Sequence, residues 1–275
     1  MSRGTENLAS TAGISLVADS TVQELNQQLS RIYEQTADRY FRHLSESILS
    51  ERVRAYDNHQ RLTFGRAQSR LQLCRNLTSG FDLGLLERID SDGPDTSGFP
   101  GAITDNVYSP LKTVIEQSLY YILRDSHVEQ DELAMVTVLL HRVLVRPGET
   151  YKGFFHRDLA PRTGRIGTII WYPEIRYSLI EGLEFIAYSA EQDVPLGVLR
   201  SRKPDFAFPP DQYARNALLL TYPNNYPHGV LPGRSVVRSP RQRRPSPADF
   251  ISPDPDLFFK DLAIITVSER SPVEQ

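Results

Sequence analysis

The chain has 275 residues, 40% of them apolar, and a formal net charge of −3, enough for one large domain or two small ones with a sizeable core. Acidic and basic residues nearly balance, so nothing draws the chain as a whole to nucleic acid or an anionic membrane. The short basic run Arg241-Gln242-Arg243-Arg244 reads as a solvated loop. A single cysteine, Cys74, excludes an intramolecular disulfide and any zinc ribbon or iron–sulfur cluster built on cysteines of this chain. The opening MSRGTENLASTAG lacks the apolar stretch of a signal peptide, and no apolar run approaches the ~20 residues of a membrane span. The setting expected from all this is soluble, reducing and cytoplasmic.

Residues 1–17 are small and polar and read as frayed. From 21 to about 49 the pattern is helical, with Val22, Leu25, Leu29, Ile32 and Tyr33 at spacings of three and four. Ser20-Thr21 with Glu24 resembles a capping box. A second helical segment is expected over 60–75. A Gly/Asp/Ser/Pro-rich loop follows at 90–101, then a third helix over 109–124, where Leu111, Val114, Ile115 and Leu119 share a face.

At Leu133 the character changes. Leu133–Val145 is dense in β-branched and aliphatic residues and ends at the turn signal Pro147-Gly148. Short strand-like runs follow at 151–156, 166–172, 183–187, 217–221, 228–231 and 262–267, most of them separated by Gly, Pro, Asn and Asp. No helix between them is long enough for a βαβ crossover. The expectation is a mainly β fold, an antiparallel sandwich or barrel with helices packed outside. Residues 1–132 form the helical region and 133–275 the core, together one structural unit. The proline-rich stretch 239–255 reads as an irregular loop.

The chemistry concentrates in Tyr151-Lys-Gly-Phe-Phe-His156-Arg-Asp158. On a strand, side chains two apart point the same way, so His156 and Asp158 would face the interior while Phe155 and Arg157 face away. A third ligand is available in His228, 72 positions on, beside a Pro/Asn turn after an apolar strand. Two imidazoles and one carboxylate on one face of a metal leave three positions open, the facial triad of non-haem Fe(II) oxygenases. His43, His59 and His127 fall in helical or loop segments, and His141 lies in a strand without such partners.

His-x-Asp on an early strand, a distal histidine well downstream and a basic residue beyond it together resemble the Fe(II)/2-oxoglutarate-dependent oxygenases. The resemblance covers about 133–267 and extends to Glu181-Gly-Leu-Glu-Phe185, similar to the strand that family carries between its two ligand segments. It implies a double-stranded β-helix (jelly roll) core with flanking helices. It implies Fe(II) at His156, Asp158 and His228, 2-oxoglutarate as co-substrate, O2 as oxidant, and hydroxylation of an unactivated C–H bond. The family sets an Arg or Lys beyond the distal histidine against the far carboxylate of 2-oxoglutarate. Arg238, ten residues after His228, is the first candidate, Arg234 the second, and Lys260, bordering the last strand, the third. Halogenases of the family have Gly or Ala where Asp158 stands, so the carboxylate implies hydroxylation or a related oxidation. The implied substrate is a small molecule, an amino acid or derived metabolite, with no nucleic-acid or membrane partner, on a monomer or homodimer. Arg142, Arg146, Tyr151, Lys152 and Trp171 lie on or beside strands where a polar substrate could be met.

Two other readings compete. His156-Arg-Asp-Leu matches the letters of a protein-kinase catalytic loop. Thr163 stands where that loop needs Asn, no Gly-rich loop and lysine strand lie upstream, and Asp205-Phe206-Ala207 lacks the glycine of D-F-G. The kinase reading is rejected. A non-catalytic cupin-like binding protein would share the architecture, because fold alone does not assign function. It would have no need of a His/Asp/His set.

Overall fold

The computed structural model describes residues 10–11, 14–41, 53–56, 59–76, 80–89, 105–126, 133–145, 147–148, 150–151, 154–157, 165–188, 194–221, 227–236 and 254–269. Strands β1 (Ser10–Thr11) and β2 (Ile14–Val17) lead into helix α1 (Ser20–Phe41). Strands β3 (Val53–Tyr56), β4 (His59–Asn76) and β5 (Gly80–Ile89) follow, then helix α2 (Asp105–Ser126). Next come β6 (Leu133–Val145), β7 (Thr150–Tyr151), β8 (Phe154–His156), β9 (Arg165–Ile175), β10 (Ile180–Gly182), β11 (Phe185–Ala187) and β12 (Phe206–Phe208). The chain closes with β13 (Ala217–Thr221), β14 (His228–Val230), β15 (Gly233–Ser235) and β16 (Phe258–Glu269). All pairings are antiparallel.

The large sheet runs β1-β2-β13-β9-β16-β6-β4-β3, with β5 on β4. A second sheet runs β12-β11-β14-β8 and a third β10-β15-β7. One apolar core joins them. Val143 and Val145, Ile170 and Tyr172, Leu218 and Leu220, Phe258 and Leu262 come from the large sheet. Phe185, Ala187, Phe208 and Val230 come from the second, and Tyr151 and Ile180 from the third. Alternation by two sends neighbouring residues to the other face, where Ile169, Trp171, Ala263, Ile265 and Val267 are buried. The helices lie against that face. Trp171 Nε1 donates to Ser118 Oγ of α2 at 2.8 Å, and Ser118 donates to the Val114 carbonyl. Gly167 of β9 permits the close approach of α2, since a Cβ there would sit 2.8 Å from Ile122 Cγ2.

Several sequence expectations are corrected. The stretch 60–75 is not a helix but lies within β4, laddered to β6 on one side and β5 on the other. Its alternation is obscured by register shifts at Thr63/Gly65 and Leu71/Leu73, each of which moves the pattern out of phase. Residues 14–17 are not frayed: all four are buried and pair with β13. The cap of α1 is Asp19 rather than Ser20 or Thr21. Its Oδ1 accepts the Val22 N–H at 2.8 Å, and its Oδ2 accepts the Tyr121 hydroxyl at 2.7 Å. Strands β10, β12 and β15, too short to show a period, were not anticipated. Leu133–Val145 and Ala217–Thr221 are strands as expected, and α1 and α2 take up the other helical readings. The loop at 90–101 and the irregular stretch up to 253 lie outside the described residues. Among the described residues no helix is long and apolar enough to cross a membrane.

Candidate metal and co-substrate site

His156 ends β8 and His228 opens β14, and the antiparallel register sets them directly opposite each other. Directly opposed residues project from the same face of a sheet. Their ring centroids are 4.5 Å apart at an interplanar angle of 57°. Two nitrogens held ~2.0–2.1 Å from one metal at a right angle bring imidazole centroids to about 4.6 Å, so the pair fits two neighbouring ligands of one ion. His228 is buried and stacks on Phe185, with centroids 6.0 Å apart. On its other side it pairs with Ala187 of β11. Phe155 and Arg157 face away, as the alternation requires. Phe155 packs edge-on to Tyr188 and against the Ile186 and Leu199 cluster, and Arg157 donates to the Val194 carbonyl at 2.6 Å.

Asp158 and Arg238 lie outside the described residues. Among the described residues no three His, Cys, Asp or Glu side chains gather as a metal cluster. Arg234 is on β15, opposite Glu181 and Thr150, and points to solvent. Lys260 is placed quite differently. It is 3% exposed, on the interior face of β16 with Phe258 and Leu262. Its ammonium donates to Tyr151 Oη at 3.3 Å and lies 4.5 Å from that ring's centroid. Among the described residues no carboxylate pairs with it. A buried ammonium is costly unless paired or hydrogen-bonded, and the Tyr151 hydroxyl and ring supply its contacts here. Ser235 Oγ, also buried, has no hydrogen-bond partner.

Tyr172 and Tyr213 complete this interior, their rings 4.8 Å apart. Tyr213 donates to the Leu183 carbonyl at 2.6 Å. Burial first, and neighbouring phenols second, push both hydroxyls well above the usual phenol range, so both remain neutral donors. Sequence reasoning missed these two tyrosines because strand ends rich in Tyr are usually surface. Of the other polar residues singled out, Tyr151 faces the core. Trp171 instead backs onto α2, and the side chains of Arg142, Arg146 and Lys152 lie outside the described residues.

The sequence matches no family model and no curated protein. Solved structures do match. A crystal structure of IDO from Bacillus thuringiensis aligns at TM-score 0.51 and 8% identity over 94% of this chain and 90% of that one. At that identity the likeness speaks for the fold alone. A Burkholderia pseudomallei oxidoreductase of the 2OG-Fe(II) oxygenase family aligns at TM-score 0.41 and 10% identity over 93% and 84%. A Pseudomonas putida prolyl-4-hydroxylase aligns at 0.40 and 12% over 94% and 93%. These two are too loosely superposed to carry an argument.

Proposed function

We propose that this chain is an Fe(II)- and 2-oxoglutarate-dependent oxygenase built on a double-stranded β-helix. The observation that carries the reading is the facing pair His156 and His228 inside two opposed sheets. The chain winds between those sheets, from β6 to β8, back to β9, across to β11 and β12, back to β13, across to β14 and home to β16. Four-stranded orders β13-β9-β16-β6 and β12-β11-β14-β8 are what such winding produces.

His156 and His228 would hold the iron, with Asp158, two positions beyond His156, as the carboxylate. Iron so held would leave positions for co-substrate and O2, and would supply the coupling of 2-oxoglutarate decarboxylation to oxidation of a C–H bond. The residues of the chain supply binding and exclusion. For the far carboxylate of 2-oxoglutarate the reading sets Lys260 ahead of Arg234, while Arg238, outside the described residues, stays a candidate. Lys260 is a buried cation facing the core, whereas Arg234 is exposed. Tyr151 orients the ammonium, and Ser235 offers a hydroxyl on the same face as Gly233, whose absent side chain leaves room for Leu183. The aromatic wall of Phe185, Phe208 and Tyr172 keeps water from the reacting centre. The substrate is proposed to be a small molecule of the amino-acid or small-acid class.

Anaerobic addition of Fe(II) and then 2-oxoglutarate tests this directly. The expected result is a weak visible charge-transfer band that needs both. A screen of amino acids and small acids should then give substrate-dependent succinate release. A chain that shows neither band nor succinate, or that turns over fully without 2-oxoglutarate, is not this enzyme.

A further inference from the structure

Away from the two histidines, α1 and the turn after Tyr213 enclose a cleft of about 340 Å³ lined by Gln23, Asn26, Gln27, Ser30, Pro173 and Arg215. The four α1 residues stand at i, i+3, i+4 and i+7, so they form one stripe of the helix. Along it Gln23 and Gln27 are exposed, Ser30 is half-buried and Asn26 is buried. Asn26 is 3% exposed, and neither its amide nitrogen nor its amide oxygen has a hydrogen-bond partner. A buried carboxamide left with both ends open is unfavourable unless something completes it.

Across the cleft Arg215 adopts φ +65°, a left-handed conformation that an arginine pays to occupy and a glycine would not. The turn is pinned there: the Arg215 N–H donates to the Tyr172 carbonyl at 3.1 Å, and the Tyr172 N–H donates to the Asn216 carbonyl. Strain retained at a lining residue is a mark of a working site. Among the described residues no acidic side chain lines the cleft, and its one charge is the Arg215 guanidinium, whose side chain makes no ion pair or hydrogen bond there.

We infer that this cleft is a second binding site, for a small carboxylate that also carries an O–H or N–H donor. The Arg215 fork takes the two carboxylate oxygens. Asn26 requires one partner that accepts and one that donates, and Gln23, Gln27 and Ser30 can serve either way. A single cation among neutral amides suits a monoanion rather than a phosphate dianion. The occupied turn continues into Tyr213, whose hydroxyl holds the Leu183 carbonyl in the core, so a ligand here would fix one wall of the interior.

The test is calorimetric titration of the full chain with lactate and glycolate, beside acetate, which lacks the donor, and glycerol, which lacks the charge. Lactate or glycolate should bind saturably, acetate at least tenfold more weakly, and glycerol not at all. Arg215→Gly removes the cation and relieves the strain, and Asn26→Leu replaces an open amide by an apolar side chain of like size. Both should melt no lower than the parent while binding falls at least tenfold. If either melts lower, Arg215→Lys, which keeps charge and backbone but not the fork, decides: a tenfold loss supports the site and parent-like binding overturns it. Lys260→Met should leave binding unchanged. No saturable binding by the parent, binding unaltered in Arg215→Gly, or binding lost only in Lys260→Met would each overturn the inference.

Discussion

His156 and His228 face each other across the β8–β14 ladder with their rings 4.5 Å apart. A pair of imidazoles set by backbone register is preorganised, because neither needs a loop to move. Replacing either by alanine should lower Fe(II) or Ni(II) affinity by more than ~100-fold, since loss of groups one shell further out already costs 10–100-fold. Anaerobic metal titration with far-ultraviolet dichroism as a fold control checks this. Asp158→Ala should retain weaker metal binding and lose hydroxylation, because it removes the anionic ligand. Parent-like metal affinity in His228→Ala would remove the basis for the proposed centre.

Lys260 and Tyr151 give the second prediction. Removing one partner of a buried charge pair costs about 3–5 kcal/mol, so Lys260→Met should raise the 2-oxoglutarate requirement by roughly 10²–10³-fold. Without co-substrate, the same variant should be as stable as the parent or more so, because an apolar chain replaces a buried charge that meets no carboxylate among the described residues. Arg234→Ala should be silent, its side chain being in solvent. Titrating 2-oxoglutarate against Lys260→Met, Arg234→Ala and Arg238→Ala separates the three cations. If Arg238→Ala alone loses affinity, the anchor lies there instead.

How far the sequence carried this reading follows from what each signal depends on. The facing histidines were legible because the information is local: one imidazole in a strand-like run, and a second after an apolar run. Lys260 was visible only as the flank of a strand. Its depth in the core depends on β16 pairing with both β6 and β9, which no local pattern announces. Strand β4 was misread because two bulges disrupt its period. Ile14–Val17 was misread because four residues are too few to show one. Tyr172 and Tyr213 meet only once β9 and the turn before β13 are brought together.

The N-terminus of α1 shows the same limit at one residue. Ser20, Thr21 and Glu24 carry the letters of a capping box, yet Asp19 does the capping and also receives the Tyr121 hydroxyl from α2. Asp19→Ala should therefore cost more than an isolated cap. It loses about 0.5–2 kcal/mol from the helix end and leaves a largely buried phenol short of its acceptor, about 1 kcal/mol more. Thr21→Ala, by contrast, should be nearly neutral. Urea denaturation of the two variants checks the order, and equal midpoints would mean the cap is not Asp19.

The last prediction concerns alkaline pH. Tyr172 and Tyr213 have hydroxyls raised above the usual range by burial and by neighbouring phenols. For groups whose folded value lies above the unfolded one, the stabilising contribution is complete below the unfolded value, about 10 for tyrosine, and is lost as pH rises beyond it. The folded chain should thus resist ionising these two tyrosines, and phenolate absorbance should rise in a late step that coincides with unfolding. Tyr172→Phe keeps the ring packing and removes a group that favours unfolding at high pH, so its unfolding midpoint should move to higher pH. Tyr213→Phe removes the same alkaline weakness but leaves the buried Leu183 carbonyl without the tyrosine donor, at a cost of about 1–3 kcal/mol. It should be less stable than Tyr172→Phe at neutral pH, and the gap should not close at alkaline pH, where both variants have lost one such phenol. Phenolate absorbance rising fully before any loss of fold would show that both hydroxyls titrate as exposed groups, contrary to their burial.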